Sequence, residues 1–220
     1  MRDQPLRKIG ARLFRTRRED PPKGTQRQSM PAHYGLDRTL VDAFVGGTLD
    51  PRGEQALAQQ VALIAPFHWT LPTAIVEDMT RIIDHLGGQH ELLAWLDRHP
   101  GRPRLLARLS VLIGLLDRFS AEPAVVTALG EFRADTPFPA GLKGYLVPAT
   151  DAETLASLAF EIESLLGEDR GDDALALAMA TLAMLKDVAP RAAEIDPEVG
   201  EMGELLEHSR QDLVEVSTGA

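Results

Sequence analysis

His85 and His90 stand five residues apart across the Gly87–Gly88 pair, with Asp84, Glu91 and His99 close by in the chain. Imidazoles and carboxylates are zinc ligands, and such a set could hold a metal that activates water for hydrolysis. The helical spacing that achieves this is i, i+4, as in H-E-x-x-H. Here His90–Glu91 runs on into Leu92, Leu93 and Ala94, so the motif fails and the histidines read as surface groups beside a turn. A small metal-dependent hydrolase is therefore the weakest of the readings the sequence allows. With no cysteine there is no thiol nucleophile, thiolate zinc site or iron–sulfur cluster. Neither glycine-rich phosphate motif occurs, no G-x-S-x-G elbow exists, and seven scattered serines make no Ser/His/Asp set. Carboxylate pairs such as Glu161–Glu163 and Asp172–Asp173 sit where solvated faces and helix caps need them. No residue is assigned a catalytic, cofactor-binding or metal-binding role, and a non-enzyme without a cofactor is expected.

What the chain offers instead is surface. Residues 1–29 carry nine Lys/Arg against three Asp/Glu, the middle is near neutral, and 150–220 carry four basic against seventeen acidic residues. A net charge of −10 argues against nucleic-acid binding by the bulk of the surface. The candidate partner-binding residues are Arg7, Arg12, Arg15, Arg17 and Arg18 of the basic arm, Phe67 and Trp69 of the PFHWTLPT loop, and His85 and His90. The two loop aromatics fit a core-plugging role better than a ligand-holding one. Nucleic acid or anionic lipid is expected only through residues 1–29, where Leu6, Ile9, Leu13 and Phe14 give a short basic segment one apolar face. That arm lacks the apolar core of about 7–15 residues that a secretory signal needs, and Met30 is an alternative start.

The elements that would position these residues read as helices almost throughout, because apolar residues recur at helical spacing and strand alternation is nearly absent. The expected fold is all-α: a bundle of about eight or nine helices, or two packed helical subdomains, behind a disordered basic arm. The divisions are 1–30 for the arm, 31–133 for a helical bundle, 134–149 for a Pro/Gly connector, and 150–220 for an acidic hairpin plus a last helix. Leu36, Leu40 and Phe44 share a face before Gly46–Gly47. Asp50–Pro51 caps a helix bearing Leu57, Val61 and Ile64. From about Pro72 to Leu86, Ile75, Met79, Ile82, Ile83 and Leu86 face inward, while Glu77, Asp78, Arg81 and Asp84 fall mostly outward. Leu92, Leu93 and Leu96 line a short helix. Next comes one apolar nearly all round, from Arg102 to Phe119, and Ser120 is expected to cap the helix after it.

The connector holds three prolines and two glycines, with a short extended piece expected at Tyr145–Val147. Thr150 with Glu153 forms a capping box before Leu155, Leu158, Ile162, Leu165 and Leu166. Residues 167–171 turn, Asp172 or Asp173 caps an alanine-rich helix, and Pro190 ends it. Asp196–Pro197 starts a final helix with Met202, Leu205, Leu206 and Leu213 inward. In outline this hairpin resembles a tetratricopeptide-type unit, present once, where about three copies are normally needed. No apolar run reaches the ~20 residues of a membrane span, so no integral membrane association is expected.

One stretch carries a family resemblance. LVDAF at Leu40–Phe44, DPRGEQAL at Asp50–Leu57 and DMTRIIDHLGGQHELLAWL at Asp78–Leu96 together resemble the bacterial effector-associated domains, death-domain-like helical adaptors of conflict systems. The size and Arg/Ala-rich helical character are similar to the CATRA-associated small proteins encoded in such loci. The resemblance spans less than a third of the chain; the PFHWTLP loop and the acidic helices after 150 depart from it. It implies helix-face association with another protein, a caspase-like, NTPase or repeat-containing effector, and no catalysis here. The expected function is thus a cytoplasmic, non-catalytic adaptor or regulatory protein in a bacterial defence or signalling assembly, with homo-oligomerisation open to it. The alternative is a basic-arm protein docking on an anionic membrane or nucleic acid. Arg-rich, Lys-poor usage (nineteen against four) fits a GC-rich bacterial source.

Overall fold

A computed structural model describes residues 35–66, 71–137, 142 and 150–219. Among them every regular element is helical: α1 (Arg38–Val45), α2 (Pro51–Ile64), α3 (Thr73–Leu86), α4 (Gln89–Asp97), α5 (Arg102–Ser120), α6 (Pro123–Asp135), α7 (Asp151–Gly167), α8 (Gly171–Ile195) and α9 (Met202–Thr218), with a 3-10 turn at Pro197–Val199. The all-α expectation and its helix count hold. The chain divides into two compact units, Met1–Ala107 and Arg108–Ala220. That division falls within α5, inside the span 31–133 that the sequence reads as one bundle. The basic arm, Phe67, Trp69 and the Tyr145–Val147 piece lie outside the described residues.

In the N-terminal unit α1 packs on α2 and α3, and α3 packs on α4. Asp37 caps α1 by accepting the Thr39 N–H at 2.8 Å, and Asp50 caps α2 by accepting the Gly53 N–H at 2.7 Å with Pro51 behind it. Proline fits there because the first helical N–H has no intrahelical acceptor to lose. α2 buries Leu57, Ala58, Val61, Ala62 and Ile64, each Leu, Val or Ile contributing about 1.5–3 kcal/mol of transfer free energy. α3 ends at Gly87 (φ +100°) and Gly88 (φ +145°), and the next helix starts one residue later. The positive φ at Gly88 favours glycine there, and a Cβ would also lie 2.8 Å from Glu91 Oε2, the mobile end of an exposed side chain that would have to shift.

In the C-terminal unit α8 is the common partner: α6, α7, α9 and the 3-10 turn all pack against it. Its buried alanines Ala174, Ala178, Ala189 and Ala192 let those neighbours approach, while Ala176 and Ala183 are exposed. The capping box forms as expected, Glu153 Oε2 accepting from Thr150 N at 3.2 Å and from its Oγ1 at 2.9 Å, and all five expected inward residues of α7 are buried.

Four local expectations are corrected. Pro190 does not end α8, which runs on to Ile195. Its missing N–H would have met the Lys186 carbonyl, and both residues are exposed, so the freed oxygen is on the solvent side of the helix rather than in the core. Ser120 does not cap α6: it closes α5, donating from Oγ to the Asp117 carbonyl at 2.7 Å, and α6 starts from Glu122 with Pro123 first. Asp172 and Asp173 lie in the first turn of α8 rather than at its cap. There they meet the positive end of the helix dipole, and Asp173 accepts from Arg170 Nε at 2.8 Å. Asp196–Pro197 starts the 3-10 turn, and α9 begins only at Met202.

Candidate functional site

The functional site argued from sequence is only partly within view. Arg7, Arg12, Arg15, Arg17, Arg18, Phe67 and Trp69 lie outside the described residues. His85 and His90 are both exposed, on either side of the Gly87–Gly88 break. His85 closes the last turn of α3 and sets its ring edge-on to Phe44 at 5.1 Å; His90 lies in the first turn of α4. No group of three or more His, Asp or Glu able to hold a metal occurs among the described residues. None of the described helices is long and apolar enough to cross a membrane.

Between α2 and α4 the chain assembles a polar and aromatic cluster that no sequence motif marks. Trp95 is 1% exposed, and its indole N–H donates to Glu54 Oε1 at 2.7 Å. Its ring leans on Phe44 of α1 at 5.1 Å on one side and meets His99 at 5.1 Å, near edge-on, on the other. His99 Nδ1 lies 3.1 Å from Gln55 Oε1, and its Nε2 is 3.5 Å from Glu54 Oε1. Burial pushes the His99 imidazole down from the usual histidine range; Glu54 opposes the shift and Arg98 adds to it. Gln55 and Gln59 both donate to the Pro100 carbonyl, and Arg102 Nε donates to the Ala62 carbonyl, so the turn after α4 is tied back to α2. The signal lay in the spacing. Glu54 is three residues before buried Leu57 on the inward face of α2, and Trp95 and His99 are four apart.

A second cluster corrects the expected outward position of Asp78. Asp78 is buried and accepts from Arg81 Nη1 at 3.2 Å, while Arg81 Nη2 reaches Asp42 of α1 at 2.7 Å. The two carboxylates hold the Arg81 guanidinium above its already high range. One guanidinium thus serves the interior carboxylate and links α3 to α1.

The C-terminal unit presents charge. Of the four cations after residue 150, Arg170 pairs with Glu168 and Asp173, Arg191 with Asp135, and Arg210 with Glu207. Arg210 and Gln211 hold the Glu207 carboxyl down at about 2. Exposed Asp172, Asp187, Glu194, Glu201, Glu204 and Glu215 outnumber what remains, so the exterior is acidic. A small depression there is lined by Arg118, Phe119, Glu122, Glu198, Val199, Glu201, Met202 and Leu205.

No protein-family model, no curated protein and no solved structure matches this chain.

Proposed function

We propose that this chain is a non-catalytic helical adaptor or regulatory protein, joining another protein to a bacterial defence or signalling assembly in the cytoplasm. The observation that carries the reading concerns the stretch resembling effector-associated adaptors. Its described residues form α1 to α4, which pack within one compact unit and present charged faces. Support also comes from the acidic exterior of the other unit, whose arginines are engaged in pairs of their own. Such a surface favours a basic partner and speeds its encounter more than it tightens the complex.

The test is recovery of partners from the cell of origin with the full chain and with residues 30–220, identified by mass spectrometry and then repeated with the purified partner. Both forms are expected to recover the same protease-like, NTPase or repeat-containing protein. Recovery by the full chain alone, or of lipid or nucleic acid instead, overturns the reading and assigns the function to residues 1–29. The charge of that arm favours this second reading, and binding through it would fall steeply as salt rises.

A further inference from the structure

Gln55 decides which nitrogen of His99 carries the proton. Its amide Nε2 donates to the Pro100 carbonyl at 3.4 Å, which leaves Oε1 to face His99 Nδ1 at 3.1 Å. An amide oxygen only accepts, so Nδ1 bears the hydrogen and Nε2 is the bare nitrogen of the neutral ring. That Nε2 is buried without a hydrogen-bond partner, and the nearest carboxylate oxygen, Glu54 Oε1, is itself an acceptor 3.5 Å away. The same oxygen already takes the Trp95 indole N–H at 2.7 Å. Two lone pairs therefore confront each other, and on the His99 side, where Nε2 is buried, water does not relieve the contact. One more proton, on Nε2, turns that confrontation into a charge-assisted donor and acceptor.

We propose that His99 is an acid-operated switch of the N-terminal unit. Its protonation draws the Glu54 carboxylate from the Trp95 indole to the imidazolium and loosens the Phe44–Trp95–His99 row. The groups around it set the direction. From α2, Glu54 favours the cation. Arg98, beside it in the chain, disfavours it. From α5, Arg104 meets His99 through its backbone N–H, which bonds the His99 carbonyl at 3.1 Å, while its Nε donates to the Asp97 carbonyl. Phe44 of α1 and Trp95 of α4 bring no charge. Burial outweighs Glu54, so the folded imidazole takes its proton at lower pH than an unfolded one. The stability that rests on neutral His99 is therefore present above the unfolded value of about 6.5 and declines as pH falls below it.

The test is a nuclear magnetic resonance titration of the full chain from about pH 8 to about pH 5, spanning the histidine range. It follows the His99 ring and the Trp95 indole N–H, with Trp69→Phe assigning the two indole signals. Both signals are expected to move with one shared midpoint below about 6.5. Glu54→Gln lowers the His99 midpoint further, and Arg98→Gln, at an exposed position, raises it. His99→Gln abolishes the indole step. A His99 midpoint at or above the ordinary value, an indole signal that ignores it, or a step that survives His99→Gln overturns the proposal. If His99→Gln does not fold, Arg98→Gln decides: a midpoint that does not rise overturns it.

Discussion

At the scale of single residues, Trp95 does two jobs, filling the space between α1 and α2 and holding Glu54 by its indole N–H. Trp95→Phe keeps much of the apolar area but leaves a void and an unserved carboxylate, so the loss expected is about 1–3 kcal/mol, read by urea unfolding with the slope unchanged. Glu161 works in the opposite sense. Burial, with Glu168 nearby, raises its carboxyl above the ordinary range, so its charge opposes folding at neutral pH. Glu161→Gln is expected to raise the unfolding midpoint at pH 7. The gain is full above the raised folded value and fades as pH falls through the carboxylate range; an equal gain at acid pH would refute that account. Asp78 shows why such residues escape a reading by pattern. Arg81 one turn on serves its carboxylate, a pair that the i, i+3 spacing contains, but the reach of Arg81 to Asp42 of α1, which ties the pair into the unit, comes only with packing.

At the scale of elements, what is legible in sequence is what neighbours within a few residues decide. Asp50–Pro51 and the Thr150–Glu153 box are satisfied by groups three positions away, and both start their helices where expected. Ser120 and Pro190 misled because each signal has a second local solution. A serine bonds a carbonyl three residues back as readily as it caps, and a proline is borne inside a helix whose freed carbonyl faces water. It follows that Pro190→Ala restores an N–H to a helix that already passes through this position. The change should stabilise the C-terminal unit by up to about 3 kcal/mol, measured by thermal unfolding; a fall in midpoint would mean the ring is packed, not merely tolerated. The Glu54–Trp95–His99 contacts were half legible. The spacing within α2 and within α4 puts Glu54 and Trp95 on inward faces, but His99 lies beyond the end of α4, and what brings the three together comes only with packing.

Within each compact unit the charge and the topology have separate consequences. The excess of carboxylates after residue 150 repels itself, and its range is about 30 Å at 0.01 M salt but about 3 Å at 1 M. Amide hydrogen exchange in α8 is therefore expected to slow as salt is added. Faster exchange would show that the Arg170, Arg191 and Arg210 pairs outweigh the repulsion they sit within. α8 also sets the order in which the C-terminal unit can assemble. α6 leans most heavily on it, yet Asp135, the last residue of α6, precedes Ile195, the last of α8, by 60 positions. At the usual pace of synthesis that separation is roughly 3–12 s. For that interval the apolar side of α6, with Val125, Leu129 and Phe132, emerges from the ribosome ahead of the helix that will cover it, the period in which a newborn chain is most open to chaperones and to aggregation.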